Sequence, residues 1–160
     1  MQRYFNPIAL TPDLFVGPGP GSIEEAQRLR SLGIDRLLSL QTDADLAARG
    51  LRWPVLWQMF LSQGIRAERH PIVDFDAKDF ARQLGDAVTA LEELLAVDDP
   101  ARPPRVYVHC TAGINRSPSL ALAVLARRMG FEAALALLGS AHPGAVPYEA
   151  AVSKWLKRNR

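Results

Sequence analysis

One stretch, His109 to Pro118, holds the side chains best suited to chemistry, and it reads His-Cys-Thr-Ala-Gly-Ile-Asn-Arg-Ser-Pro. It contains a thiol at Cys110 and, six residues later, a guanidinium at Arg116. A guanidinium presents a planar fork of donors that can hold two oxygens of a phosphate group. A thiol beside such a group and beside backbone amides is favoured as the thiolate, which is the nucleophilic form. The pair therefore predicts nucleophilic attack on a bound phosphate ester.

The residues on either side predict the elements that position this stretch. Val106-Tyr107-Val108 is typical of a buried strand, and the segment from Ser117 to about Met129 is apolar nearly all round, as in a buried helix. A loop between a strand and a helix gathers backbone N–H groups at the positive end of the helix dipole, which favours an anion. Pro118 suits the first turn of that helix. We expect the phosphate to be lined by the residues between the thiol and the guanidinium, namely Thr111, Ala112, Gly113, Ile114 and Asn115.

The cysteine has a simpler alternative explanation, because a free cysteine is most often a small buried apolar residue. Cys110 is the one cysteine of the chain, so an intramolecular disulfide is excluded. With three histidines in support, a structural zinc site is not expected. We expect the proposed chemistry to need no metal and no other cofactor.

The chemistry also needs an acid, because expelling an alkoxide from a phosphate ester requires a proton. The segment that follows Val73 offers three aspartates. Asp76 can cap the helix that begins there, and Asp79 falls in the first turn, where a negative charge suits the dipole. Asp74 has no such structural explanation. We predict that Asp74 is the general acid, and then the general base for the attacking water, with Asp76 as the alternative.

The rest of the chain alternates strand and helix patterns. Strands are predicted at 14–17, at 36–40 and within 65–72, and residues 1–13 are predicted to be irregular. Helices are predicted after the Ser22 capping box, at 43–49, at 53–63, at 131–138 and at 148–157. A further helix is predicted from Asp76 through the apolar stripe that includes Phe80 and Leu84. This alternation predicts an α/β fold with a central, mostly parallel sheet flanked by helices. A length of 160 residues predicts one domain, with its core at about 14–157.

Three aromatic residues share one face of the predicted helix at 53–63. Trp53, Trp57 and Phe60 fall at positions i, i+4 and i+7. Helical spacing of this kind is typical of a core face. It would equally suit an aromatic platform for a sugar or another ring substrate, and the pattern leaves both interpretations open.

Composition limits the partners. The net charge is +2 and the pI is about 9.0, with no basic tail of the kind that binds nucleic acid. The amino terminus lacks a signal-peptide core, and no apolar run reaches membrane-spanning length. We predict a cytoplasmic monomer that binds neither nucleic acid nor membrane.

The segment Cys110 to Ser117 resembles the Cys-x5-Arg-Ser/Thr signature of the cysteine-dependent phosphatases, particularly the dual-specificity branch. The resemblance implies the compact dual-specificity phosphatase fold. It implies that Ser117 hydrogen-bonds the sulfur as it leaves in the second step, and that His109 helps to set the loop and the thiolate. It also supports Asp74 as the acid, on a mobile loop.

Outside this signature, segments 12–17, 40–46 and 74–77 are similar to dual-specificity phosphatases that act on glucans such as starch and glycogen. That likeness implies a phosphorylated glucan as substrate, with Phe75 lining the channel for the sugar chain and Trp53 or Trp57 assisting. It leaves a phosphoprotein or a phosphoinositide as the competing substrate, and a non-catalytic phosphate-binding module as the alternative to an enzyme. The glucan signature has Gly where this chain has Asn115, whose side chain is expected to narrow or re-polarise the pocket. We expect no carbohydrate-binding module.

Overall fold

A computed structural model of the chain describes residues 4–160 and contains a five-stranded sheet with helices packed on both faces. The strands are β1 (Ile8–Ala9), β2 (Leu14–Gly17), β3 (Arg36–Ser39), β4 (Arg66–Arg69) and β5 (Val106–His109). The helices are α1 (Ile23–Ser31), α2 (Asp43–Ala47), α3 (Trp53–Ser62), α4 (Ala77–Leu95), α5 (Arg116–Met129), α6 (Phe131–Ala141) and α7 (Glu149–Arg158). This arrangement confirms the predicted α/β class.

The order of the strands places β5 in the middle of the sheet, although it is the last strand along the chain. The order is β1-β2-β5-β3-β4, with β5 parallel to both of its neighbours and β1 antiparallel to β2. Gly17 and Ser39 are the register partners of His109, so β2, β3 and β5 end side by side. In open α/β sheets, ligands bind at the carboxyl ends of the strands where the order of connection reverses. The loop that follows β5 leaves the sheet at that place.

Alternate residues of the strands are buried on opposite faces of the sheet. Val106 and Val108 of β5 belong to a core cluster built with α4, α5, α6 and α7, whereas Tyr107 belongs to a second cluster with α1 and α3. Helix α5 is buried continuously from Arg116 to Ala126, as its apolar pattern predicts. Because β5 and α5 are both held inside the core, the loop between them is fixed at both of its ends.

The segment predicted to be irregular contains a short strand. Ile8 and Ala9 pair with Val16 and Phe15 as β1, while residues 1–3 of that segment lie outside the described residues. Two residues are too few to show a period of two, so only the pairing reveals the strand. The predicted helix ends differ from the observed ones by a few residues, as is usual where helices fray.

Residues 4–160 contain neither a helix that could span a membrane nor a cluster of side chains that could hold a metal. None of the helices in this range is both long enough and apolar enough to cross a membrane. Within the same range, no three His, Cys, Asp or Glu side chains lie together so that they could hold a metal ion. The single domain, the monomeric state and the cytoplasmic location stay predictions from the sequence.

Candidate active site

The stretch singled out by its chemistry forms the loop between β5 and α5, called here the phosphate loop (residues 110–116). Strand β5 ends at His109, and α5 begins at Arg116. The residue before α5, Asn115, makes no side-chain hydrogen bond to the first turn of the helix. In the first turn, the N–H groups of Arg116 and Ser117 can bind an anion at the positive end of the helix dipole.

The thiol of Cys110 lies at the base of the phosphate loop and is 3% exposed. Its Sγ is 3.3 Å from the Oγ of Ser117, a fully buried residue in the first turn of α5. The His109 ring is also buried, with its Nδ1 3.0 Å from the carbonyl oxygen of Cys110 and its plane stacked on Tyr107. The structure therefore places both residues that the resemblance connects with the sulfur, Ser117 and His109, in contact with Cys110. A hydroxyl at this distance can donate a hydrogen bond to a thiolate.

The guanidinium of Arg116 is 1% exposed and is held from several sides. Its Nη1 donates to Oδ2 of Asp45 at 2.7 Å and to the carbonyl oxygen of Ile72 at 2.8 Å. Its Nη2 donates to Oγ1 of Thr111 at 3.3 Å. Within residues 4–160 its Nε makes no hydrogen bond, although Oδ1 of Asp74 lies 3.2 Å away in ion-pair contact. A guanidinium N–H held in this way can donate to the oxygen of a bound anion.

Gly113 is the position at which the phosphate loop requires glycine. Its φ is +75°, in the left-handed region, and a Cβ there would overlap the backbone of Gly17 at the end of β2. The loop is also tied to this segment by Thr111, whose carbonyl oxygen accepts the N–H of Gly19 at 3.1 Å. Ala112 is exposed on the rim. The first half of the loop is thus packed directly against the chain that follows β2.

The second half of the loop is braced by the segment before α7. The carbonyl oxygen of Gly113 lies 2.8 Å from Nε2 of His142, and the carbonyl oxygen of Ile114, a rim residue that is 43% exposed, accepts the N–H of Val146 at 2.8 Å. The Asn115 side chain, expected to narrow or re-polarise the pocket, donates from Nδ2 to the carbonyl oxygen of Val146 at 2.7 Å. The Asn115 side chain therefore connects the phosphate loop to the segment before α7.

The two candidate acids occupy different positions. Asp74 lies at the edge of the phosphate site, 3.2 Å from Nε of Arg116, with a side chain that is 30% exposed. Asp76 caps α4 and accepts the N–H of Asp79 at 2.9 Å, as predicted for a helix cap. Phe75, between them, has a φ of +57° and is 94% exposed. Of the two candidate acids, Asp74 is therefore the one that contacts Arg116, and the exposed ring of Phe75 lies next to it.

Asp79 anchors the segment that carries Asp74. Its Oδ2 accepts the N–H of Val73 at 2.8 Å, and its Oδ1 accepts a hydrogen bond from Arg82 at 3.2 Å. The hydrogen bond from Val73 is the largest influence on the Asp79 carboxyl; burial opposes it, Arg82 adds to it, and the pKa is held below its ordinary value of 3.8. The ionised form of Asp79 is thus part of the folded structure.

We expect acid-induced destabilisation to be weaker in Asp79→Asn than in the wild type. A carboxyl with a lowered pKa stabilises the fold above its unfolded-state pKa, and this contribution is lost as the pH falls through the folded-state value. Urea unfolding at pH 7 and at about pH 3 measures the difference. Asp86→Asn removes an equal charge from an exposed position of the same helix and is expected to keep the wild-type pH dependence. If the free energy of unfolding falls by the same amount between pH 7 and about pH 3 in Asp79→Asn and in the wild type, the stabilising role of the ionised Asp79 carboxylate is contradicted.

The aromatic residues of α3 divide between core and surface. Phe60 is buried, and the half-buried Trp53 ring packs on it with centroids 6.5 Å apart. The Arg69 guanidinium lies 5.5 Å from the centroid of the Trp53 ring. Trp57 is 39% exposed. The core interpretation therefore holds for Phe60, while Trp57 is the more exposed of the two tryptophans; neither tryptophan takes part in the contacts around Arg116 described above.

Three side chains near the site were not singled out from the sequence. Asp45 holds Arg116, and the buried Gln41 donates from Nε2 to Oγ1 of Thr111 at 3.0 Å. Burial, followed by the negative charge of Asp74, raises the pKa of the Tyr148 phenol above its ordinary value of 10.0. The sequence before α2 contains the capping-box residues Thr42 and Asp45. That this segment lies beside β5 follows from the strand order, which the sequence pattern does not give.

Comparisons with known proteins agree with this architecture. Residues 22–130 match the family described as cyclin-dependent kinase inhibitor 3 (CDKN3). Over 127 residues the chain is 32% identical to the phosphoglucan phosphatase DSP4, amyloplastic, of Castanea sativa. That match covers 77% of this chain and 32% of the Castanea protein, so the chain spans about a third of the length of this curated relative.

Solved structures show the same fold at low sequence identity. Tk-PTP in its active form superposes with a TM-score of 0.74 at 22% identity, covering 96% of this chain and 97% of that one. The Yvh1 phosphatase domain from Chaetomium thermophilum gives 0.73 at 20% identity, covering 98% and 97%. PTPMT1 in complex with PI(5)P gives 0.71 at 16% identity, covering 94% and 97%. These likenesses establish the fold.

Proposed function

The chain belongs to the cyclin-dependent kinase inhibitor 3 (CDKN3) family of dual-specificity phosphatases, and on this premise we propose that it hydrolyses phosphate monoesters through a cysteinyl-phosphate intermediate. One observation carries the proposal. The guanidinium of Arg116 is buried beside a loop that begins with Cys110, and its Nε, in ion-pair contact with Asp74 at 3.2 Å, makes no hydrogen bond within residues 4–160. A charged donor held in this way supports binding of an oxyanion.

In the first proposed step, the Cys110 sulfur attacks phosphorus, so that an S–P bond forms while the P–O bond to the alcohol breaks. Arg116 and the loop N–H groups bind the equatorial oxygens, on which negative charge is spread in the transition state. Asp74 gives its proton to the departing oxygen, so the alcohol leaves neutral. The contact between Asp74 and Arg116, at 3.2 Å, supports this role because the acid must stand next to the bound phosphate.

In the second step, water attacks the phosphorus of the cysteinyl phosphate. Asp74, now ionised, takes a proton from that water, and the S–P bond breaks to release inorganic phosphate. Ser117 donates a hydrogen bond to the departing sulfur, a role supported by the 3.3 Å between Oγ and Sγ. The free thiolate of Cys110 and the protonated Asp74 are then restored for the next turnover.

Phosphorylated glucan is the substrate we propose. The Castanea relative is named as a phosphoglucan phosphatase, and its 32% identity extends over 77% of this chain. The Phe75 ring, 94% exposed beside Asp74, can stack on a sugar ring as it passes the phosphate loop. A cavity of about 310 Å³, with Asn6 and His142 among its lining residues, borders Thr111 and offers polar groups to sugar hydroxyls. Trp57 offers a further exposed ring for a longer chain.

A parallel assay tests both parts of the proposal. We expect turnover of p-nitrophenyl phosphate without added metal, and faster release of phosphate from phosphorylated amylopectin than from a phosphotyrosine peptide or a phosphoinositide. We expect a kcat/KM ratio of about tenfold or more in favour of the glucan, which corresponds to roughly 1.4 kcal/mol of additional transition-state binding. The measurement is inorganic phosphate released at matched phosphate-ester concentrations.

The outcomes separate the two parts. Preference for the peptide or the phosphoinositide would overturn the glucan substrate and leave the phosphatase chemistry standing. No turnover of any of the four phosphate esters, together with binding of inorganic phosphate, would indicate a non-catalytic phosphate-binding module and overturn the whole proposal.

A further inference from the structure

The Arg116 guanidinium is anchored at Nη1 by two short hydrogen bonds, and the contacts of its other edge are longer. Both N–H groups of Nη1 are used, one by Asp45 at 2.7 Å and one by the carbonyl oxygen of Ile72 at 2.8 Å. The opposite edge, formed by Nε and Nη2, is the fork that can hold two phosphate oxygens at once. On that edge, Nη2 also meets Thr111, and Nε has Asp74 near it. The anchoring therefore decides which edge of the guanidinium faces the phosphate site.

Asp45 is held in place by hydrogen bonds at the start of α2 as well as by the arginine. It is the third residue of α2, where its N–H donates to Oγ1 of Thr42 at 3.2 Å and its Oδ2 accepts the N–H of Thr42 at 2.9 Å. The same Oδ2 accepts from Arg116. Burial opposes ionisation of Asp45, but the hydrogen bonds from Arg116 and Thr42 outweigh it and hold its pKa below 3.8. The carboxylate is thus a charged partner in a set position.

The ion pair between Asp45 and Arg116 affects the energetics of phosphate binding as well as those of folding. Arg116 is 1% exposed, and an isolated guanidinium buried to that extent would be strongly unfavourable. A flexible side chain also loses rotamer freedom when it is fixed, and fixing it before the ligand arrives removes that loss from binding. Asp45 meets both needs, because it balances the charge and sets the rotamer from the side away from the Nε and Nη2 fork.

We propose that Asp45 is a positioning residue for Arg116: its carboxylate holds Nη1 so that Nε and Nη2 present a preorganised fork to the phosphate group. The proposal rests on the proposed phosphatase function, because it assigns a role within the same site. The competing explanation is a purely structural one, in which Asp45 serves only as the capping-box partner of Thr42.

Kinetics of p-nitrophenyl phosphate hydrolysis and binding of inorganic phosphate test this role. Asp45→Ala is expected to lower kcat/KM by about 100-fold, because a small misplacement of a substrate-binding group has an effect of this order. Since the fork binds oxygens in the ground state as well, we expect KM and the Kd for inorganic phosphate to rise about tenfold or more. Asp45→Asn, which keeps an acceptor oxygen but no charge, is expected to recover part of the loss.

Two matched variants separate positioning from folding. Asp43→Asn removes a carboxylate from the same helix that pairs with Arg69 at 2.7 Å and is expected to leave kcat and KM near the wild type. Thr42→Ala removes the hydroxyl that caps α2, whereas the N–H of residue 42 can still donate to Oδ2 of Asp45. It is therefore expected to lower the melting temperature with little change in the Kd for phosphate. If Asp45→Ala does not fold, Asp45→Asn carries the test.

The proposal is overturned if the Asp45 variants keep wild-type KM and phosphate Kd, or if Thr42→Ala weakens phosphate binding as much as they do. A wild-type protein with no turnover would instead overturn the proposed function, and the Kd for inorganic phosphate would still decide the role of Asp45.

Discussion

Cys110→Ser is expected to abolish turnover while the protein still binds phosphate. The serine hydroxyl is close in size to the thiol, so the phosphate loop keeps its shape, but a neutral hydroxyl is a far weaker nucleophile than a thiolate. The loss of kcat is expected to be on the order of 10⁴-fold or more, as for removal of the nucleophile in other covalent mechanisms. The measurements are p-nitrophenyl phosphate turnover and calorimetric binding of inorganic phosphate.

The intermediate itself gives an independent check. Wild-type protein quenched in acid during turnover is expected to carry one phosphoryl group on the peptide that contains Cys110, whereas Cys110→Ser is expected to carry none. Cys110→Ala serves as the control that removes both nucleophile and hydroxyl. A Cys110→Ser variant that turns over near the wild-type rate, or a wild-type protein phosphorylated at another residue, would contradict the mechanism.

The local parts of the site could be predicted from the sequence because their causes are local. A β-branched strand, a glycine and a proline within 106–118 are enough to give a loop between a strand and a buried helix. Asp76 was recognisable as a helix cap by its position before the apolar stripe of α4, and the structure places its side chain on the N–H of Asp79. In each case the interaction joins residues close together in the chain, so the pattern carries the necessary information.

The surroundings of Arg116 could not be predicted in the same way. Its partner Asp45 lies 71 residues earlier in the chain, and its partner Ile72 lies 44 residues earlier. Asp45 follows β3 and Ile72 follows β4, and both become neighbours of the arginine because β3 lies next to β5 and β4 lies next to β3. This strand order is contained in no local pattern. The structure shows a capping box of Thr42 and Asp45, but a pattern of this kind indicates only where a helix begins.

The orientation of surface-facing aromatic residues depends in the same way on tertiary packing. Helical spacing places Trp53, Trp57 and Phe60 on one stripe, but a stripe covers a wide arc of the helix. The neighbouring cluster buries Phe60 fully and Trp53 in part, and it leaves Trp57 39% exposed. Which residue of a stripe meets solvent is set by the width of the partner surface, so the sequence alone left the core and platform interpretations open.

Asp74→Ala is expected to slow hydrolysis of a sugar phosphate or another alkyl phosphate by about 10²- to 10⁴-fold, the usual contribution of a general acid. The same change is expected to have a smaller effect on p-nitrophenyl phosphate, because nitrophenolate is stable enough to leave without a proton. Comparing kcat for esters of alcohols with increasing pKa measures this difference. In the wild type the rate is expected to depend weakly on the leaving group, whereas in Asp74→Ala the dependence is expected to be steep.

Asp76→Ala is the matched control, since Asp76 is the other candidate acid and lies two residues away. It is expected to remove the cap of α4 and lower the free energy of unfolding by about 1 kcal/mol, with a leaving-group dependence like that of the wild type. The reverse result, with a steep dependence in Asp76→Ala and a shallow one in Asp74→Ala, would transfer the acid role to Asp76. The contact between Asp74 and Arg116 at 3.2 Å favours the first result, because the proton must be delivered at the edge of the phosphate that the arginine holds.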